Sequence, residues 1–162
     1  MKKLHYFVGQ KKSPFHLSVG AIVMNGKTEI YCHHLLNVRG KMDAYLLMRE
    51  TVEPNETLEN ALRRGLGQEF GMKAKIVGYL GSVTSSFKNW QGANIQKTTL
   101  YFLCKPIGMP KIVKHMESHY GERSVREWEN ASFLIRQMKR QARVLKRSDF
   151  DESEIVARAV KK

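Results

Sequence analysis

Residues 45–72 read YLLMRETVEPNETLENALRRGLGQEFGM, and this stretch decides the fold. Tyr45–Met48 is apolar and leads out of a strand. A loop follows that carries Glu53, Pro54, Asn55 and Glu56. Thr57 is placed to cap a helix, and Leu58, Ala61, Leu62 and Leu66 recur at the spacing of one helical face. Gly71 closes the helix, while Arg64, Gln68 and Glu69 fall on the rest of its surface. Strand, acidic loop and amphipathic helix thus succeed one another within 28 residues.

On its N-terminal side the pattern is extended. Leu4–Val8 is a short apolar run followed at once by lysines, too short for the apolar region of a signal peptide, and reads as a strand. His16–Met24 is branched and apolar, Asn25-Gly26 is a strong hairpin signal, and Thr28–His34 returns as the partner strand. Asn37–Asp43 is a polar loop. On the C-terminal side Lys73–Leu80 alternates towards a strand, Gly81–Ala93 reads as a polar loop or loose hairpin, and Thr98–Lys105 is a strand. Arg126–Glu129 is a candidate short strand. Ala131–Arg147 is helical, with Leu134, Met138, Ala142 and Leu145 on one face and Arg136, Arg140, Arg143 and Arg147 on another. Asp151 and Glu152 favour the start of a last helix whose apolar side is Ile155, Val156, Ala159 and Val160. Strands interleaved with helices predict an α/β or α+β fold with a mixed sheet.

The chain's 162 residues, 42% of them hydrophobic, suit one domain with a real core and argue against disorder. No apolar run reaches the length of a membrane-spanning helix. The two cysteines, Cys32 and Cys104, sit in strand-like runs and read as buried thiols of a cytoplasmic protein. His33 and His34 follow Cys32, but neighbouring strand residues point to opposite faces, so the triplet is no chelating set. Net charge is +13, from 28 basic and 15 acidic residues, and it is shared between the two parts of the chain rather than held in a tail. Such a balance attracts polyanions: nucleic acid, nucleotides or anionic lipid.

Anchored on Gly71 and Met72, the opening stretch resembles the box of the Nudix hydrolases. That pattern is a glycine, five residues, a glutamate, seven residues, then Arg-Glu-apolar-x-Glu-Glu-x-Gly-apolar. Glu56, Arg64, Leu66 and Glu69 agree in type and spacing, and VEPNET is similar to the usual run of the loop. The resemblance extends over about residues 14–160 and implies a Nudix-like α/β/α sandwich with a mixed central β-sheet, in a single domain spanning residues 1–162. Four features depart from it. Glu50 occupies the leading glycine position, Met48 and Arg49 replace the residues that usually precede it, and Gly65 and Gln68 stand where two helix glutamates belong.

In a complete box, helix carboxylates hold Mg²⁺ against a diphosphate and activate water. Here only Glu69 remains of the three, Gln68 offers a neutral carbonyl, and Gly65 offers nothing. Gly65 and Gly67 also weaken the helix by about 1 kcal/mol each relative to alanine. The resemblance therefore implies a catalytic set of Glu69, Gln68, Glu56 and Arg64, with Glu69 and Glu56 as metal ligands. Mg²⁺ or Mn²⁺ would be the cofactor if the protein is active, and none would be needed if it is not. Glu56 and Arg64 read first as an ion pair tying loop to helix. A base would come from outside the box, where Glu117, Glu122 and Glu127 are available.

Arg49, Phe87, Trp90, Arg140 and Arg143 are the candidate substrate contacts. Aromatics near Lys88 and Lys97 can stack bases, Tyr79 reads as core, and the basic helix face is either solvated or a phosphate surface. His115 and His119 lack the glutamate between them that a zinc helix would carry. Two functions follow. One is a Nudix-family hydrolase of nucleoside diphosphates linked to another group, with a degenerate metal site and weak or absent catalysis. The other is a non-catalytic module binding nucleotide or RNA through its basic surface. The partner is a nucleotide diphosphate derivative or RNA, and no membrane is expected.

Overall fold

A computed structural model of the chain describes residues 6–89, 91–111 and 123–162. The central strand is β1 (Phe15–Asn25). One edge of it runs parallel to β6 (Asn94–Ile107), which pairs antiparallel with β5 (Lys73–Lys88). Its other edge is shared. Ser18–Ala21 pairs with β4 (Met48–Thr51), and Val23–Asn25 pairs with β2 (Glu29–Val38). Beyond Tyr31, β2 leaves β1 and pairs with β3 (Met42–Leu46), while its far edge carries β7 (Ser124–Asn130). The seven strands therefore form one mixed sheet that opens where Leu47 joins β3 to β4.

Helices cover both faces, as the period of β1 dictates. Val19, Ala21 and Val23 point to α1 (Leu58–Phe70) and pack with Met48, Leu62, Leu66, Phe70 and Cys104. Ile22 and Met24 point the other way, to α2 (Ala131–Leu145) and α3 (Ser153–Val160), and pack with Leu134, Met138, Ile155 and Val156. This is the expected helix–sheet–helix sandwich. Buried Gln141 fastens α2 to the sheet. Its Oε1 accepts from Tyr45 N (2.8 Å), and its Nε2 donates to the carbonyls of Tyr45 (2.7 Å) and Phe150 (2.8 Å).

Several local expectations change. Among the described residues, Tyr6–Val8 form a turn and bend rather than a strand, tied by one bond from Leu17 N to the Phe7 carbonyl. In the first hairpin Asn25 pairs with Glu29, so the loop is Gly26-Lys27-Thr28 and only Gly26 takes a positive φ, of 64°. The Asn37–Asp43 loop is a tight β2–β3 turn, with Val38 paired to Met42. Most of Gly81–Ala93 is strand. Ser82, Val83, Thr84, Ser85, Ser86 and Phe87 alternate in exposure, which suits an edge strand, and register shifts near Val77 and Leu80 let β5 follow the twist. Tyr79 is 49% exposed and lies against Phe102 outside the core. The helix α2 stops at Leu145 because Lys146 turns left-handed (φ 53°), which removes Arg147 from the basic face.

Candidate functional site

The box loop and α1 are built by local chemistry. The Thr57 side chain accepts from Asn60 N (3.2 Å), capping the helix, and Gly71 ends it at φ 60° with its N–H on the Leu66 carbonyl. In the loop, Glu53 N donates to Glu56 Oε2 (3.0 Å) and Glu56 N returns to the Glu53 carbonyl (3.1 Å). Arg64 then joins helix, loop and strand. Its Nε and Nη2 donate to the two oxygens of Glu56 (2.9 and 2.8 Å), Nη2 also reaches the Thr51 carbonyl (2.8 Å), and Nη1 pairs with Glu50 (3.0 Å). The Glu56–Arg64 tie is thus made, and bonding to Glu56 is the largest cause that raises the Arg64 pKa further. Burial raises the Glu50 carboxyl above its usual range, opposed by Arg64 and reinforced by the nearby charge of Glu69.

The two helix glycines are not alike. A Cβ at Gly67 would meet nothing within 4 Å. A Cβ at Gly65 would lie 2.7 Å from Glu50 Cβ and 2.7 Å from Met48 Sδ. Gly65 is therefore required by the close approach of α1 to β4, and the side chains that fill the space are Glu50 and Met48. The face shared by positions 65, 68 and 69 runs from the β4 contact to solvent: Gly65 is buried, Gln68 is exposed and Glu69 is between. Glu69 Oε2 is bonded to His33 Nε2 (2.8 Å), and the His33 ring packs 4.8 Å from Phe70.

His33 is a site residue that sequence reading missed, since only the β2–α1 packing brings it to Glu69. Arg126 is another. It lies directly across the β2–β7 ladder from His33, and its buried Nε has no hydrogen-bond partner among the described residues. Glu127, one residue on, faces the opposite side of the sheet and pairs with His34 Nδ1 (2.6 Å), so it does not stand beside Glu69. Glu117, Glu122, His115, His119 and Trp90 lie outside the described residues.

A family model for the NUDIX domain matches residues 14–150. The chain belongs to the Nudix family. Its fold is similar to that of the Nudix hydrolase from Nitrosomonas europaea, with a TM-score of 0.58 at 14% identity over 80% of this chain and 83% of that one. It is similar also to the MutT Nudix hydrolase from Burkholderia pseudomallei, with a TM-score of 0.55 at 16% identity over 72% and 83%. The E. coli ORF135 protein gives a TM-score of 0.50 at 18% identity over 75% and 77%. These structural likenesses establish the fold alone. No curated protein matches the sequence.

Nudix proteins generally use divalent metals, so the donor set of this box bears testing against one. Glu50 and Glu56 are engaged by Arg64, and Glu69 by His33. Among the described residues no group of three or more His, Cys, Asp or Glu side chains is gathered as a metal site requires. Arg64 and His33 hold the carboxylates that a metal would take, and the residues as arranged do not fit a tight Mg²⁺ site.

Of the substrate candidates, Arg49 and Phe87 both reach the Arg147–Asp149 pair, and Arg143 shares a groove with Arg147. Arg49 faces the α2 and α3 side, opposite to Glu50, and donates to the Asp149 carbonyl (2.9 Å). Phe87 lies under the Arg147 guanidinium, 5.0 Å from ring centre to Cζ, and Arg147 is held by both oxygens of Asp149 at 2.7 Å. Arg140 and Arg143 are exposed. Arg143 lines an open groove of about 570 Å³ with Lys139, Lys146, Arg147 and Asp151. Cys32 and Cys104 are buried free thiols, and burial pushes Cys104 up to about 12. No helix of the described residues is long and apolar enough to cross a membrane.

Proposed function

We propose that this protein binds a nucleoside diphosphate derivative on a Nudix scaffold whose metal centre is degenerate, with weak or absent hydrolysis. The observation that carries the reading is that three carboxylates of the box are engaged by the protein's own side chains: Glu50 and Glu56 by Arg64, and Glu69 by His33. Glu69 and Glu56 then hold the loop and helix in place, Arg64 joins them, and Gln68 contributes no charge. A metal entering this site must first displace Arg64 or His33 from its carboxylate, which costs binding free energy that a free carboxylate would not.

The test is a panel of nucleoside diphosphate derivatives assayed with Mg²⁺ and with Mn²⁺, beside Glu69→Ala. The expected result is ligand binding with little or no turnover. Ordinary hydrolase turnover that vanishes in Glu69→Ala would overturn the reading.

The groove on α2 favours a second reading, in which RNA or nucleotide is held by Arg140, Arg143 and their neighbours. Lys139, Arg143 and Lys146 line it and are exposed, and Arg140 is exposed on the same helix. RNA binding that weakens steeply with salt, and is lost in Arg140→Ala/Arg143→Ala, would support this reading. Affinity unchanged in that variant would remove it.

A further inference from the structure

His34 of β2 has a carboxylate at each ring nitrogen. Its Nε2 is 3.0 Å from Asp43 Oδ2 of β3, and its Nδ1 is 2.6 Å from Glu127 Oε1 of β7. The two acids come from the strands on either side of β2. A carboxylate only accepts hydrogen bonds, and a neutral imidazole has a single N–H. With one proton on the ring, one of these contacts sets lone pair against lone pair. Both are hydrogen bonds only when the ring carries both protons, and the three side chains then form a charge-assisted set.

The ring is held in place for this. Its side chain is 17% exposed and stacks on Tyr45, with centroids 4.4 Å apart and planes at 14°. Tyr45 is fixed in turn by Gln141 on its backbone and by the Phe133 ring, which meets it edge-on at 5.3 Å. Burial first, then the charges of Glu129 and Glu127, pushes the Tyr45 phenol up to about 12, so the platform is neutral and offers a π face to a cation.

Asp43 also closes a turn. Its Oδ1 accepts from Asn37 N (2.9 Å), across the connection from β2 to β3. In that connection Asn37 and Arg39 take positive φ, of 54° and 53°, which side chains other than glycine seldom adopt. Ladder support is thin here: beyond Leu35–Ala44 the register shifts, and Val38–Met42 follows. The Asn37 N–H first, and His34 next, hold the Asp43 carboxyl below the usual carboxylate range. The other charged or titratable groups around the ring are Glu129 of β7, Cys32 of β2, Arg39 and Lys41 of the turn, and Arg123, whose carbonyl accepts from Leu36 N. From α2, Phe133 meets Tyr45 and Gln137 meets the Asp43 carbonyl, and neither titrates.

We propose that His34, Asp43 and Glu127 form a proton-operated clasp: the second proton on the His34 ring ties the β2–β3 turn and β7 together across β2, and its loss to solvent releases the turn. The closed state is the one described here. When the proton leaves, one carboxylate contact becomes repulsive. Asp43 is the more exposed acid, at 49% against 37% for Glu127, and its contact is the longer, so it is the one that yields, and the Asn37 N–H loses its acceptor with it. The clasp lies on the other sheet face from His33 and Glu69, and its test does not involve hydrolysis.

The experiment is a pH titration of the nitrogen-labelled full chain by NMR, reading the ring nitrogens through their two-bond proton couplings, with His34→Gln to assign the ring. The His34 ring should pass from the two-proton pattern to a single tautomer in one step. Protection of the Asn37 amide, corrected for the pH dependence of exchange itself, should fall in the same step, and His34→Gln should lack that fall. Asp43→Asn and Glu127→Gln should each weaken the ring's hold on its second proton by about threefold to tenfold, since each removes one carboxylate. The wild-type titration decides the matter even where a variant does not fold. Asn37 protection that stays constant while the ring titrates would overturn the proposal. So would a weaker hold in only one of the two carboxylate variants, which would mean that a single contact is made and nothing is clasped.

Discussion

Gly65 and Glu50 exclude one another as side chains: a Cβ on the glycine would lie 2.7 Å from the Cβ of the glutamate. Two departures from the family box are therefore one structural event. A carboxylate stands on β4 where the box has glycine, and glycine stands on α1 where the box has a carboxylate.

The first prediction concerns the two glycines of α1. Gly67→Ala should stabilise by up to about 1 kcal/mol, since the site is exposed and nothing lies within 4 Å of the new Cβ. Gly65→Ala gains the same helix propensity but overpacks against Glu50 and Met48, at about 1 to 3 kcal/mol, and should destabilise. Urea denaturation of both variants reads the opposite signs. Equal effects would show that α1 can move away from β4.

Arg64 is the second. Its guanidinium serves Glu56, Glu50 and the Thr51 carbonyl while its own side chain is only 24% exposed. Arg64→Met keeps the packing of the stem and leaves two carboxylates facing each other without a cation. The loss should be about 2 to 3 kcal/mol, between the values for surface and buried pairs. Replacing Glu50 by Gln as well should recover part of it, because with one of the two charges gone their mutual repulsion disappears. Chemical denaturation of the single and double variants measures that recovery.

How much of this was legible beforehand depended on the range of the interaction. The hairpin, the cap at Thr57, the stop at Gly71 and the Glu56–Arg64 tie rest on near neighbours, and spacing alone gives them. The Gly65–Glu50 exchange also lay within the box, visible as two odd residues, but their reciprocity needs the crossing of α1 over β4. His33 at Glu69, Arg126 beside it and Gln141 in the core are contacts across dozens of residues, with no local pattern to announce them. The long β5 was misread because serines and threonines alternate in an edge strand as they do in a loop. The basic stripe was read one residue too far, since nothing in its charge pattern marks Lys146 as left-handed.

The Gln141 clamp gives a third prediction. Gln141→Leu fits the volume but abandons Tyr45 N and the carbonyls of Tyr45 and Phe150 inside the protein. The expected cost is about 2 to 4 kcal/mol, with amide exchange of Tyr45 accelerating most. Exchange at Tyr45 as slow as in wild type would show that the packing around this amide does not depend on the clamp.

Stability should also vary with pH in two windows. The folded pKa of His16 is lowered from 6.5 to about 4 by burial, then by Lys97 and Arg49. Between those values the unfolded chain binds more protons, so stability falls as pH drops from about 6.5 to about 4. Lys97 is lowered from 10.5 to about 7, and the same sign makes stability rise as pH increases from about 7 towards 10.5. Glu50, raised by burial, works in the opposite sense just above the ordinary carboxylate range. Melting curves of wild type minus His16→Gln, and of wild type minus Lys97→Met, isolate each window. A Lys97→Met variant that keeps the alkaline rise would show that another group causes it.

The last prediction turns the exchange between positions 50 and 65 into a gain of function in metal binding. Gly65→Glu and Gln68→Glu restore the missing helix carboxylates on paper, yet with Glu50 in place the new side chain at 65 has no room. That double variant should be destabilised and gain little. Adding Glu50→Gly removes one of the two side chains under position 65, leaving the flexible Met48 to shift, and frees one arm of Arg64, so the triple variant should fold at least as well as the double. Three carboxylates would then stand on α1 at positions 65, 68 and 69, hard anionic oxygens of the kind Mn²⁺ takes. Mn²⁺ affinity, read by electron paramagnetic resonance of the free ion, should rise by about tenfold or more over wild type. A folded triple variant with no gain would mean that the His33–Glu69 bond, rather than the missing carboxylates, keeps metal out. Adding His33→Ala to the same chain would then raise the affinity where the glutamates had not.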